Sequence, residues 1–255
     1  MYQLVDASFE IDGKTILYPT NLLFPKGKVT TLLGHNGCGK STLIKLLSRH
    51  HSPTTGTVLF DEKAASHFSP QEFALNVAYL PQHPPITDGV TVRELVCFGR
   101  YPWKGAFGRY TKADYQLVDE AIEKVSLTSF NDRFVATLSG GERQRAWVAM
   151  LLAQQSHCIL LDEPTSALDV AHQYELLALI RELNTTLGLT VIMVLHDVNM
   201  AAKFSDHLIA LHSGKVIAQG SPDALMTSET LQRIYGMELA LFSHPETGQP
   251  ISYIP

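Results

Sequence analysis

The sequence predicts an α/β fold with a mainly parallel sheet, an antiparallel β edge and an inserted helical region. Four short apolar segments rich in branched residues are typical of buried parallel strands, namely 28–33, 76–80, 158–161 and 190–195. Helical patterns follow three of them, which indicates βαβ units. Between about 84 and 157, helical patterns recur without a convincing strand, and a capping box opens at Thr91. A chain of 255 residues is long enough for one α/β domain with such an insertion.

The antiparallel edge is predicted from turn signals near both ends of the chain. Segments 3–11 and 14–19 flank Asp12-Gly13, a dipeptide that favours a β-hairpin. A second hairpin, 207–220, turns about Ser213-Gly214. We therefore expect a single domain over 1–255. Its core would take about 1–83 and 158–255 and its helical subdomain about 84–157, while the tail after about 240 is too short to be a regulatory domain.

Composition argues against several functional classes. The net charge of −5 and the pI near 6.1 give no basic face for nucleic acid. The longest apolar runs, such as 147–153 and 189–195, are too short to cross a bilayer, and no basic apolar leader precedes them, so we expect a cytoplasmic location. Three widely spaced cysteines, Cys38, Cys97 and Cys158, indicate reduced thiols without a disulfide framework or a zinc site.

A phosphate-binding loop is the strongest local pattern. The form G-x-x-x-x-G-K-[ST] lies between the strand 28–33 and a helix, as a phosphate cradle requires, which predicts a P-loop NTPase core. Glycines let backbone amides face phosphate oxygens, the lysine reaches the β and γ phosphates, and the serine hydroxyl holds Mg²⁺. The motif and its next residue are Gly34, His35, Asn36, Gly37, Cys38, Gly39, Lys40, Ser41 and Thr42.

Polar side chains follow three further strands at the point where each strand ends. Asp162 and Glu163 are an acidic pair suited to holding Mg²⁺ and to orienting or deprotonating an attacking water. Gln82 and His196 end the strands at 76–80 and 190–195. Each alone is more often a surface or capping residue. Together they point to the crevice beyond the carboxyl ends of the strands, where ligands of α/β sheets bind.

A second anion site is predicted at 138–142, which reads LSGGE. Ser139 and Glu142 have the spacing of a capping box, so an ordinary helix start explains them. It does not explain Gly140 and Gly141, because each glycine costs roughly 1 kcal/mol in a helix relative to alanine. Two glycines in the first turn indicate that something approaches the backbone closely, and the positive end of the helix dipole favours an anion.

With these motifs in this order, the chain resembles the ATP-binding-cassette (ABC) ATPases. The segments that carry the resemblance are Walker A at 34–41, the Q-loop at Gln82, the signature at 138–145, Walker B at 158–163, the D-loop at 166–169 and the switch His196. More closely, the chain is similar to the ATPase subunits of iron(III)-siderophore importers. The segment GRYPWKGAFGRY at 99–110 is most similar to the ferric-hydroxamate branch, and the catecholate branch is a close second.

The resemblance implies a head-to-tail homodimer that binds ATP and Mg²⁺ between the P-loop of one subunit and the signature of the other. Lys40 and Ser41 would bind phosphate and metal, Asp162 the metal, and Gln82 would sense metal and water. Glu163 would be the base and His196 would contact the γ-phosphate. Across the dimer, contacts with the partner's ATP or its subunit are implied for Ser139, Gly140, Gly141, Glu142 and Asp169.

Transport partners also follow from the resemblance. The subunit would lie on the cytoplasmic side of the inner membrane, docked through its helical subdomain to a permease and served indirectly by a siderophore-binding protein. The expected docking surface lies at 99–110 and includes Arg100, Tyr101, Trp103, Phe107, Arg109 and Tyr110. Alternatives are an importer of ferric catecholate, cobalamin or heme, a soluble ABC ATPase acting on nucleic acid or ribosomes, or a small-molecule kinase.

Two positions depart from the family's pattern. Ile11 stands where an aromatic residue usually stacks on adenine, which predicts apolar contact and weak base selectivity. Cys38 stands where serine is common, and its position near a helix N-terminus predicts a favoured thiolate that alkylation would attack.

Overall fold

The computed structural model describes residues 1–85, 88–105 and 108–255. The strands are β1 (Tyr2–Ile11), β2 (Lys14–Phe24), β3 (Val29–Leu33), β4 (Thr55–Phe60), β5 (Lys63–Ala64), β6 (Val77–Leu80), β7 (Cys158–Leu161), β8 (Thr190–Val194), β9 (His207–His212), β10 (Lys215–Gly220), β11 (Ala240–Ser243) and β12 (Pro250–Tyr253). The helices are α1 (Lys40–Leu47), α2 (Pro70–Asn76), α3 (Val92–Phe98), α4 (Tyr101–Lys104), α5 (Lys112–Lys124), α6 (Gly140–Ala153), α7 (Val170–Leu187), α8 (Val198–Phe204), α9 (Pro222–Leu225) and α10 (Ser228–Tyr235).

A six-stranded sheet forms the centre of the fold, in the order β10-β9-β3-β8-β7-β6. All neighbours pair in parallel except β10, which runs antiparallel to β9. Every residue of β3, β7 and β8 is buried, as expected for strands covered on both faces. The four strands predicted from apolar segments all lie in this sheet, which confirms the mainly parallel α/β class.

The N-terminal hairpin belongs to a separate antiparallel sheet, with the order β2-β1-β4-β5. Asp12 and Gly13 have φ of 50° and 73°, as the predicted tight turn requires. The second predicted hairpin is β9–β10, and it forms the edge of the central sheet. Strands β4 and β5 and the two-stranded sheet β11–β12 were not predicted from the sequence.

Helices α3 to α6 lie between β6 and β7, at the place of the predicted helical insertion. No strand is present in the described residues of 84–157. Helix α6 packs against α3 and α5 through buried apolar side chains that are continuous with one face of the central sheet, including Leu95, Val118, Ile122, Trp147 and Leu151. The division into a core and a helical subdomain stays a prediction.

The opposite face of the central sheet is covered by α1 and the antiparallel sheet. Leu43 and Ile44 of α1 pack in one apolar cluster with Leu4 and Phe24. The central sheet is thus a middle layer, and the carboxyl ends of β3, β6, β7 and β8 meet along one edge. The candidate active site lies at that edge.

Candidate active site

The glycine-rich loop connects β3 to α1 in a conformation that needs two of its glycines for packing. Gly34 has φ of 145°, and a Cβ there would lie 2.3 Å from the Leu211 carbonyl oxygen. Gly39 has φ of 106°, and a Cβ there would lie 3.1 Å from the Ile16 carbonyl oxygen. Gly37 has φ of 77° and no atom within 4 Å of such a Cβ. The loop is therefore packed tightly at both ends and open at Gly37.

Lys40 lies at the first position of α1 and is 4% exposed. Its Nζ donates to the carbonyl oxygens of Gly34 at 2.8 Å and His35 at 3.0 Å, so the ammonium crosses over the loop. A cavity of about 420 Å³ opens beside it. The cavity is lined by Ile16, Asn36, Gly37, Gly39, Lys40, Ser41, Thr42, Gln82, Glu163 and His196. A helix N-terminus, an ammonium group and a glycine-rich backbone together form an anion site.

Asp162 faces the loop from the end of β7. It is 2% exposed, and its Oδ1 accepts the Ser41 hydroxyl at 3.1 Å. Burial raises the pKa of Asp162; the Ser41 hydrogen bond opposes this shift and the nearby Glu163 adds to it. A carboxylate beside a serine hydroxyl is an oxygen-only donor pair next to a phosphate cradle. These two groups fit Mg²⁺, which takes oxygen ligands and shares them with substrate phosphates.

Glu163 contacts polar side chains that follow two other strands, β6 and β8. Its Oε2 accepts from Gln82 Nε2 at 2.6 Å and lies 2.8 Å from His196 Nε2. Glu163 also has φ of 53°, a left-handed conformation that is uncommon for a side chain of this kind and that clusters at functional sites. Of the four polar residues predicted to meet beyond the strand ends, the structure thus brings Gln82, Glu163 and His196 into direct contact.

The LSGGE segment starts α6 with the predicted capping box. Glu142 N donates to Ser139 Oγ at 3.3 Å, and Ser139 N donates to Glu142 Oε2 at 2.8 Å. These contacts lower the pKa of Glu142, chiefly through the Ser139 backbone amide. None of the described residues that line the cavity beside Lys40 comes from 138–145.

The close approach predicted for the two glycines has an intrachain partner at Gly141. A Cβ on Gly141 would lie 2.6 Å from His172 Cδ2. The His172 Nδ1 in turn lies 2.8 Å from Asp169 Oδ1, so the D-loop and the start of α6 are in contact through this imidazole. At Gly140 a Cβ would meet Leu168 Cδ2 at 3.4 Å, an ordinary contact.

The prediction that Cys38 favours the thiolate form is wrong. The side chain is fully buried, with its Sγ beside Gly34, and burial raises the pKa of the thiol despite Lys40 nearby. Cys38 therefore packs behind the loop as a neutral thiol. The sequence did not reveal this because Cys38 is buried in an apolar cluster with residues distant along the chain, such as Leu211 of β9.

The adenine side of the site differs from the sequence analysis in one residue. Ile11, at the end of β1, is 52% exposed and is not among the described residues lining the cavity. Ile16 of β2 lines it instead, and sequence reasoning did not identify it. The position of Ile16 at the cavity could have been inferred only from the register of the hairpin. That register pairs Ile11 with Lys14 and leaves Ile16 two residues farther along β2. The contact of Ile11 with adenine stays a prediction.

The predicted docking surface is partly corrected. Arg100 is 5% exposed, donates to Asp114 Oδ1 at 3.2 Å and to the Ala153 carbonyl at 2.8 Å, and so is not a surface anchor. Tyr101 and Trp103 lie on the short helix α4 and are exposed. Arg109 is exposed and Tyr110 is half-buried, while Phe107 lies outside the described residues.

Membrane-spanning helices and clusters of metal-ligating side chains are two features that would indicate other functions. Across 1–85, 88–105 and 108–255, no helix combines the length and the apolar character needed to cross a bilayer. In the same part of the chain, no group of three or more His, Cys, Asp or Glu side chains is arranged to hold a metal ion. A magnesium ion at Asp162 and Ser41 would therefore need ligands from a phosphate group or from water.

Comparison with known proteins gives a consistent result. The sequence model described as "ABC transporter" matches residues 17–166. The ferric enterobactin transport ATP-binding protein FepC of Escherichia coli is 44% identical, with 89% of this chain and 84% of the relative covered. The iron(3+)-hydroxamate import ATP-binding protein FhuC of Bacillus subtilis is 42% identical, with 93% and 88% covered.

Solved structures show the same architecture. An ABC transporter in an inward-facing conformation superposes with a TM-score of 0.86 at 26% identity, covering 99% of this chain and 95% of the other. The dimeric structure of MJ0796, a bacterial ABC transporter cassette, gives a TM-score of 0.75 at 26% identity, covering 87% and 99%.

Proposed function

The chain belongs to the ABC transporter family as an ATP-hydrolysing subunit of the siderophore and iron-chelate importers, and from this membership we propose that it powers the import of ferric hydroxamate. The observation that supports its role in ATP hydrolysis is that Gln82 and His196 both contact the Glu163 carboxylate beside the P-loop. Similarity of 99–110 to the ferric-hydroxamate branch supports the substrate. Ferric catecholate is the second candidate, favoured by the 44% identity to FepC.

Each group of the cavity has a role in this proposal. The open backbone at Gly37 and the Lys40 ammonium bind the phosphates of ATP. Glu163 accepts the proton of the attacking water, Gln82 orients that water, and His196 contacts the γ-phosphate. Asp162, Ser41 and Gln82 would hold Mg²⁺, whose charge offsets the negative charge of the phosphate oxygens.

A complete site would need a second copy of the chain. No residue of the LSGGE segment is among the described residues that line the cavity beside Lys40, although Gly140 lines a neighbouring cavity together with Gln82 and Glu163. We propose that Ser139, Gly140, Gly141 and Glu142 close on ATP held by the partner and that Asp169 signals across the dimer. The likeness to the dimeric MJ0796 cassette supports this arrangement.

The membrane partner would dock on the helical insertion. Exposed aromatic side chains are favoured interface anchors, and α4 presents Tyr101 and Trp103. Trp103 Nε1 donates to the Gln154 carbonyl at 2.8 Å, which fixes the ring while leaving it 45% exposed. We propose that a permease contacts this surface at the cytoplasmic side of the inner membrane and that a siderophore-binding protein delivers the cargo. No nucleic acid takes part.

Uptake of radiolabelled iron tests the substrate. A strain lacking this gene is complemented with the wild-type chain or with Glu163→Gln, and uptake of ferric hydroxamate and ferric catecholate is compared. We expect the wild type alone to restore hydroxamate uptake. Restoration of catecholate uptake only would transfer the proposal to the second candidate, and restoration of neither would contradict both substrates.

A further inference from the structure

The C-terminal segment, residues 227–253, packs against the loop that carries His196. It comprises α10 and the β11–β12 hairpin. Helix α10 contacts β9 and β10, and β12 contacts α8, which begins two residues after His196. A tail too short for a regulatory domain thus lies directly beside a residue of the proposed hydrolysis site.

Tyr235 makes the first attachment. It is the last residue of α10, and its hydroxyl donates to the His196 carbonyl oxygen at 3.3 Å. Leu231 and Ile234 are fully buried in the main core, so the helix that bears Tyr235 is firmly anchored. Burial raises the pKa of Tyr235 well above its usual value, and the nearby Asp197 adds to the shift. The hydroxyl therefore remains a protonated donor at any working pH.

Asn199 makes the second attachment, one turn beyond His196. Its Oδ1 accepts from Ser252 N at 2.8 Å and from Ser252 Oγ at 3.0 Å. Its Nδ2 donates to the Ser252 carbonyl at 3.0 Å. Ser252 is held in register by pairing with Leu241 across the hairpin. Three hydrogen bonds thus connect the start of α8 to β12.

One attachment is made to the backbone of His196, whose imidazole reaches Glu163, and the other lies three residues farther along the chain. Only residues 195–197 separate the end of β8 from the start of α8, so a shift of this short loop moves the His196 ring directly. The ring position matters because its Nε2 lies 2.8 Å from the Glu163 carboxylate. Neither Tyr235 nor Asn199 lines the cavity beside Lys40 among its described lining residues.

We infer that the C-terminal segment fixes the position of His196, with Tyr235 and Asn199 as positioning residues that set the rate of ATP hydrolysis without touching the nucleotide. The inference rests on the proposed role of His196 at the γ-phosphate. It gives the tail a function in turnover that a purely structural cap on the sheet would not have.

Steady-state hydrolysis of radiolabelled ATP by the full chain tests the inference. Tyr235→Phe removes one hydroxyl and leaves the ring in place. Loss of one such hydrogen bond should lower kcat about three- to tenfold at unchanged KM for ATP. Asn199→Ala should act in the same direction. Tyr253→Phe is the matched control, because Tyr253 lies in the same segment with its side chain exposed, and it should keep wild-type kcat.

A double variant separates positioning from general destabilisation. If Tyr235 acts through His196, Tyr235→Phe should not lower kcat further when His196→Ala is already present. An unchanged kcat in the single variant, or the same fold-loss in both backgrounds, would overturn the inference. If His196→Ala itself hydrolyses ATP at the wild-type rate, the proposed role of His196 fails first. If His196→Ala lowers kcat but Tyr235→Phe does not, only the positioning role of Tyr235 is contradicted.

Discussion

Glu163 shows how one residue can combine unusual backbone geometry with a defined set of partners. Its left-handed φ of 53° turns the chain at the end of β7 so that the carboxylate lies between Gln82 and His196. An amide of the same shape would keep these neighbours but could not accept a proton.

We therefore expect Glu163→Gln to bind ATP normally and to lose nearly all turnover. Without hydrolysis, ATP should accumulate between two subunits, so the variant should elute as a dimer in size-exclusion chromatography when ATP is present. Lys40→Ala, which weakens nucleotide binding itself, is the control and should remain a monomer. Wild-type turnover in Glu163→Gln would exclude Glu163 as the base.

Asp114 is a buried charge in the helical insertion. It accepts from Arg100 at 3.2 Å and lies 2.6 Å from Lys104. Burial alone would raise the pKa of Asp114, but hydrogen bonds from Lys104, Thr111 and Arg100 outweigh it and hold the pKa well below its usual range. Because the folded pKa is depressed, the ionised group stabilises the fold above the unfolded pKa of about 4. That stabilisation is lost as the pH falls through the folded value.

Asp114→Asn should therefore lower the free energy of unfolding by about 2–3 kcal/mol at pH 7. The difference from wild type should shrink as the pH falls below about 4. Urea titration at a series of pH values measures both effects. Asp119→Asn is the matched control, since its pair with Arg93 is largely exposed and should be worth less than about 1 kcal/mol. An equal loss in both variants would contradict the buried network.

At the scale of elements, the imidazole of His172 lies between the start of α6 and the D-loop. It packs against Gly141 and lies 2.8 Å from Asp169 Oδ1. Gly141→Ala should lower the melting temperature, because its Cβ would lie 2.6 Å from His172 Cδ2. The double variant Gly141→Ala with His172→Ala should recover most of the loss. Gly140→Ala should keep wild-type stability or gain some, since alanine favours helix.

Thermal unfolding followed by circular dichroism compares the four proteins. A destabilised Gly140→Ala, or a double variant no better than Gly141→Ala, would show that His172 does not limit the space at Gly141.

The elements that sequence analysis placed correctly are those fixed by local pattern. Parallel strands end at one edge of a sheet, so Gln82, Glu163 and His196 could be brought together from strand ends alone. Side-chain burial depended on residues far away in sequence. Cys38 is buried in one apolar cluster with Leu211, and Arg100 is buried against Asp114 and Ala153. Helix α2 was missed despite a local signal, the capping box of Ser69 and Glu72.

At the scale of the whole molecule, the P-loop and the signature line different cavities of one chain. A head-to-tail dimer would form each site from the P-loop of one subunit and the signature of the other. Lys40→Ala damages the first half and Ser139→Phe the second. A mixed dimer keeps one intact site, which the P-loop of the Ser139→Phe subunit forms with the signature of the Lys40→Ala subunit. About half of the dimers in an equal mixture are mixed, so turnover should recover to about a quarter of the wild-type value.

Phosphate release by each variant alone and by their mixture measures the recovery. Two portions of the same variant, mixed at the same total concentration, are the control. A mixture no more active than its components would contradict sites that are shared between subunits and act independently.

The position of Lys40 has a thermodynamic consequence for the nucleotide cycle. Its ammonium already donates to the carbonyl oxygens of Gly34 and His35, so an arriving phosphate does not have to order a free side chain. The preorganised loop lowers the conformational entropy lost on binding. Two of the three N–H groups of the ammonium are used in these bonds, so the third can donate to a phosphate oxygen while the loop keeps its own hydrogen bonds. The loop should therefore change little in shape between its empty and its occupied state.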